Sequence, residues 1–97
     1  MGQIAFIELF MLIVFPVDAY ENRRHVHVYR KGKRTQEVLA KIWIETNGQK
    51  DLSVAYSKLT SKQERMILDA IERNWEYINQ QITNTFEGRR VIVKNLK

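Results

Sequence analysis

The chain has 97 residues, 44% hydrophobic and 28% charged, with 16 Lys and Arg against 11 Asp and Glu for a net charge of +5. That length suits one domain with a single modest core, and the lack of cysteine excludes disulfides, thiolate metal sites and thiol nucleophiles. The basic balance permits attraction to nucleic acid, an anionic surface or an acidic protein, and a chain without disulfides fits the cytoplasm.

Residues 4–15 are nearly all apolar, on odd and even positions alike apart from Glu8, and stop before Pro16. This predicts a central strand covered on both faces. No Lys or Arg precedes the run, Glu8 interrupts it, and it is too short to cross a bilayer as a helix, so neither a leader nor a membrane association is expected. Residues 17–22 read as a loop.

The most informative stretch follows: His25-Val26-His27-Val28-Tyr29-Arg30, flanked by Arg23-Arg24 and Lys31-Gly32-Lys33-Arg34. On a strand over residues 24–30 both imidazoles face the same way. Ten of the sixteen Lys and Arg residues fall in residues 23–34 and 89–97. A third strand is expected over residues 35–45 and, after the hairpin signal Asn47-Gly48, a fourth over about residues 49–55. A three-residue loop at Lys31-Gly32-Lys33 aligns Val26 with Val38 and keeps both valines on the apolar face. That register sets His27 opposite Glu37 and His25 opposite Leu39, and the Asn47-Gly48 loop pairs Trp43 with Leu52. The second face then carries His25, His27, Tyr29, Glu37, Trp43 and Leu52.

Ser61-Lys62-Gln63-Glu64 fits a capping box with Ser61 as N-cap. Ile67, Ile71, Trp75 or Asn74, Ile78, Ile82 and Phe86 recur at helical spacing, and Gly88 supplies a stop, which predicts one helix over residues 61–87. Val91-Ile92-Val93 then forms a short strand or a frayed tail. The expected architecture is a single α+β domain: a four-stranded, mostly antiparallel meander over residues 1–56, packed against one long C-terminal helix, with a basic tail over residues 88–97.

Residue chemistry leaves two classes of function open. Arg23, Arg24, Arg30, Lys31, Lys33 and Arg34 form a basic hairpin suited to phosphates, with His25, His27 and Tyr29 as stacking surfaces. Alternatively, His25, His27 and Glu37 make a two-histidine, one-carboxylate set for a metal-dependent, nuclease-like enzyme. No Gly-x-Ser-x-Gly elbow and no glycine-rich phosphate loop occurs. No catalytic residue is assigned and no cofactor is expected. Trp43, Leu39 and Leu52, if left on an uncovered face, would favour a homodimer.

Taken in order, His25-Val26-His27-Val28, Gly32, Ala40-Lys41-Ile42-Trp43-Ile44-Glu45, Leu52-Ser53-Val54-Ala55-Tyr56 and Ile71-Glu72-Arg73-Asn74 resemble the small prokaryotic domain-of-unknown-function family 4160. The resemblance covers roughly residues 5–86. It departs where the family commonly has Pro-Pro before the first histidine and this chain has Arg23-Arg24. It implies a small cytoplasmic bacterial or archaeal protein of compact α+β build, one half of a toxin–antitoxin-like gene pair, with a protein partner from the adjacent gene. No catalytic residue carries over. Together these readings favour a non-enzymatic interaction or regulatory module.

Overall fold

A computed structural model describes residues 2–15, 24–32, 37–45 and 51–96. Eight elements follow in order: β1 (Gly2–Ile7), β2 (Phe10–Val14), β3 (His25–Arg30), β4 (Ala40–Glu45), β5 (Asp51–Ser57), α1 (Ser61–Arg73), α2 (Trp75–Phe86) and β6 (Lys94–Leu96). The strands form one six-stranded sheet in the order β5-β4-β3-β2-β1-β6. Every pairing is antiparallel except β1 with β6. The α+β class expected from the sequence holds. The strand number and the single helix do not.

The first correction falls at Glu8. The apolar run is a tight hairpin, with Ile7 paired to Phe10 across Glu8 and Leu9. The interrupting glutamate is therefore the turn. Glu8 carries a φ of 53°, the one positive value among the described non-glycine residues. A positive φ at the first central position alone is the pattern of a type II′ turn, which favours glycine there. Glu8→Gly is therefore expected to stabilise the protein by about 1 kcal/mol, measured by urea denaturation. All five residues of β2 are buried, so the reading of a strand covered on both faces holds for this half of the run.

Strand alternation sorts the side chains. Leu12, Val14, Val26, Val28, Ile42 and Ile44 point to the helices and join Ile67, Ile71, Ile78 and Ile82 in the main core. Met11, Ile13 and Tyr29 form a smaller buried cluster on the opposite face, with Phe6, Phe15 and Val38 packed around it. The helical stripe read from the sequence is thus core along its whole length.

The helix itself is broken at Asn74. Its side-chain amide donates to the Ala70 carbonyl at 2.8 Å, while its own N–H reaches both Ala70 and Ile71. A side chain that competes for a helical carbonyl in this way favours a break in the main chain. The start of α1 also shifts by one residue. Thr60 is the N-cap: its hydroxyl accepts from the Gln63 N–H, and the Gln63 side chain accepts from the Thr60 N–H, each at 3.1 Å. Two overlapping capping boxes exist, and the chain uses the earlier. Gly88, at a φ of 71°, ends α2 as expected. Its N–H donates to Thr85 and that of Arg89 to Asn84, the bond pair of a Schellman motif.

The C-terminal strand lies three residues beyond the expected Val91-Ile92-Val93. Polar groups of α2 explain the delay. Gln81 accepts from the Ile92 N–H at 3.0 Å, and the Tyr77 hydroxyl bonds the Ile92 carbonyl. Only then does the chain reach the β1 edge, where Leu96 pairs with Ile7 and is buried. Part of the expected basic tail is therefore a sheet strand. Residues 17–22 and the Asn47-Gly48 turn lie outside the described residues. Among the described residues no helix is long and apolar enough to cross a membrane.

Candidate functional site

The two histidines share the face of the sheet opposite the helices, as the two-residue spacing requires. Their register is displaced by four residues from the expected one: Val28 pairs with Ala40, His27 with Lys41 and His25 with Trp43. An even displacement preserves the face of each strand residue, so Val26 and Val28 still enter the core, but it changes every cross-strand neighbour. Val38, which precedes β4, packs instead with Met11, Ile13 and Tyr29 on the opposite face. The result is a ladder of rings. Phe15 lies 5.3 Å from His27, His27 lies 5.0 Å from His25, and His25 lies 5.6 Å from Trp43, the last two pairs edge to face. The Lys41 ammonium sits 4.7 Å above the Trp43 ring. His25 is 0% exposed. In this position it packs; it does not offer a stacking surface to nucleic acid, and the same holds for buried Tyr29.

The proposed carboxylate ligand is elsewhere. Glu37 precedes β4 and bonds the Lys58 ammonium at 2.8 Å, with both side chains exposed. That contact raises the Lys58 pKa above its ordinary value. Since His27 faces Lys41, the structure does not bring His25, His27 and Glu37 together. Among the described residues no group of three His, Asp or Glu is placed to hold a metal ion.

The basic residues also divide. Arg24 is even-numbered like Val26 and Val28, so strand alternation turns it toward the helices. Its guanidinium donates to the Asn79 side-chain oxygen at 3.3 Å, the Asn79 carbonyl at 3.0 Å and the Thr83 hydroxyl at 3.2 Å, and it sits 5.7 Å from the Phe86 ring centre. Burial pulls its pKa down. Arg24 is thus a clasp between β3 and α2, not a free phosphate ligand. Arg24→Ala is expected to cost about 2 kcal/mol in urea denaturation, as befits hydrogen bonds from a charged donor.

Arg30 and Lys31 are exposed at the end of β3, next to Gly32, whose φ of 81° makes the turn. The Lys31 N–H donates to the Leu9 carbonyl at 2.7 Å, tying this turn to the β1–β2 turn. Its ammonium lies 4.8 Å over the Phe6 ring. A depression of about 470 Å³ beside Lys31 is lined by Gln3, Phe6, Met11, Lys31 and Gly32, whereas Arg30, paired with the core residue Phe10, belongs to the other face. Phe6 was not among the residues the sequence singled out. Its distance from the basic run conceals it until β1 is recognised as the neighbour of β2. Arg23, Lys33 and Arg34 lie outside the described residues.

The model of a domain of unknown function, DUF4160, matches residues 11–81, well over half the chain. The chain belongs to this family. The match runs from β2 into α2, so the ring ladder and β5 fall within the family region, whereas β1 and β6 lie beyond it. No curated protein and no solved structure matches the chain.

Proposed function

We propose that this member of the family is a non-enzymatic interaction or regulatory module of a toxin–antitoxin-like pair, acting in the cytoplasm beside a protein partner from the adjacent gene. It contacts nucleic acid through the basic turn after β3. What supports this reading is the exposed Lys31 above the half-buried Phe6 ring, with exposed Arg30 on the helix-facing side of the same strand end. Cations beside a partly open aromatic ring are the parts that single-stranded nucleic acids engage through phosphate and base. Lys33 and Arg34 follow in the sequence and add charge to the same segment.

The nuclease-like alternative loses its ligand set with the separation of Glu37 from the histidines. Of the three residues that favour a homodimer, half-buried Trp43 stays on the face opposite the helices and the two leucines do not. Leu39 and Leu52 pack against the main core on the helix side, while Met11, Ile13, Tyr29 and His25 on the opposite face are buried in the chain itself.

Fluorescence-anisotropy titration against short single- and double-stranded DNA and RNA, across a salt series, tests the proposal. Binding whose logarithm falls with the logarithm of salt, by about 0.7–0.9 for each phosphate contact, is the expected result. No binding at low salt would overturn it.

A further inference from the structure

The sheet has edges at β5 and β6, and among the described residues β5 pairs with β4 alone. β5 is the last strand on its side, so one row of its backbone N–H and C=O groups faces outward. An extra residue, Ala55, interrupts its pairing with β4 between Val54 and Tyr56. The regular part of the edge is therefore the first half of the strand, around Leu52. There a groove of about 760 Å³ opens between β5 and α1, which runs back beside the strand. Half-buried Leu52, Leu68 and Trp75 supply its apolar lining.

Charge along the groove is ordered by the helix. Lys62 and Arg65 line its first turns, with a single Glu64 against them, and Asp69 and Glu72 line the far end. The helix macrodipole has the same sense, positive toward the first turn and negative toward the last. An occupant therefore meets a basic end, an apolar middle at Leu68 and an acidic end.

The spacings define that occupant. At 1.5 Å per helical residue, Arg65 and Glu72 are about 10 Å apart along the axis and Lys62 and Glu72 about 15 Å. Side chains four residues apart on one face of an extended strand are separated by about 13 Å, with a third midway between them. We infer that the β5–α1 groove takes an extended segment of a protein partner by strand addition to β5, its groove-facing side chains being an acidic residue, an apolar residue and a basic residue at alternate positions. The acid meets Arg65 and Lys62, the apolar side chain enters beside Leu68, and the base meets Asp69 and Glu72. Backbone pairing supplies affinity and the alternate side chains supply choice, the division of labour in strand-addition sites. This inference shares with the proposed function only the idea of a protein partner; it does not depend on nucleic-acid binding.

The test uses the full chain and a display library of random twelve-residue peptides. Selected sequences should converge on acid-x-apolar-x-base, and a labelled selected peptide should bind the purified protein. Arg65→Glu and Glu72→Lys should each weaken that peptide by about tenfold, since like charges are then opposed. Adding Lys62→Glu and Asp69→Lys to the pair reverses both ends of the groove, and that variant should recover affinity for the peptide with its acid and base exchanged. These positions are all exposed, so the fold is expected to tolerate the changes. N-methylation of alternate peptide amides should abolish binding by removing the strand hydrogen bonds. A library that yields no convergent binder overturns the inference, as do peptides indifferent to either the charge reversals or the N-methylation. The salt titration against RNA and DNA reads the basic turn separately, so either site can fail alone.

Discussion

His25→Ala is expected to destabilise the protein by about 2–3 kcal/mol while leaving the nucleic-acid affinity of the folded protein unchanged. The imidazole is fully buried, with one edge-to-face contact to Trp43 and another to His27. Truncation removes these contacts and leaves a void in a face where Met11 and Ile13 are also closed to solvent. Urea denaturation measures the loss. Combining His25→Ala with Trp43→Ala should give a coupling of about 0.5–1.5 kcal/mol, the range for a ring pair. A loss below about 0.5 kcal/mol would be that of an exposed site, and the packing role would then be wrong.

Reversing Arg30 and Lys31 together should have the opposite profile. Arg30→Glu with Lys31→Glu is expected to lower affinity for single-stranded nucleic acid at low salt by tenfold or more. It should also reduce the salt slope by about 1.4–1.8, the equivalent of two phosphate contacts. Stability should change by no more than about 1 kcal/mol, because the positions are exposed and the contact of Lys31 with Phe6 is a surface cation–π pair. Arg24→Ala is the matched control: it should lower stability and leave the slope in place, because its guanidinium is already committed to Asn79 and Thr83. Anisotropy across the salt series separates the three variants.

Local pattern carried the parts of the fold that depend on one element at a time. The alternation of Val26 and Val28 with His25 and His27 placed these residues on the correct faces, and the spacing of Ile67, Ile71, Ile78 and Ile82 placed the helical core. Pairing between elements was less legible. A displacement by four residues leaves the faces of β3 and β4 unchanged, so hydrophobic pattern has no power to reject it. Glu37 was assigned to the histidines for that reason. Val38 and Leu39 exchange faces because alternation breaks between Leu39 and Ala40, just before β4. The β4–β5 pairing differs by a single residue, which does exchange faces: Leu52 lies opposite Ile44, and Ser53 opposite Trp43. Leu52 accordingly belongs to the helix side and borders the groove against α1.

Two residues, Glu8 and Arg24, carry structural meaning beyond their charge. Glu8 interrupts a strand-like run, and a lone charged residue among the eleven apolar ones of residues 4–15 marks a hairpin tip at which the side chain reaches water. Arg24 groups with its charged neighbours in sequence, but its even position shares the face of Val26 and Val28. Alternation, applied to the arginine as it was to the valines, would have sent it toward the helices. By contrast, β6 had no local signature. Its position depends on Tyr77 and Gln81 holding Ile92 and on the β1 edge being open, neither of which is encoded near residues 94–96.

Nucleic-acid contact at the basic turn is read residue by residue in an amide NMR titration of the full chain with a short single-stranded RNA, and in parallel its DNA counterpart, at low salt. Shift changes are expected to concentrate at Arg30, Lys31 and Gly32, extending to Phe6 and to Leu9, whose carbonyl accepts from the Lys31 N–H. The ring ladder around His25 should stay near its free values. Changes centred on His25, His27 and Trp43, or no change at any amide, would contradict contact at the basic turn.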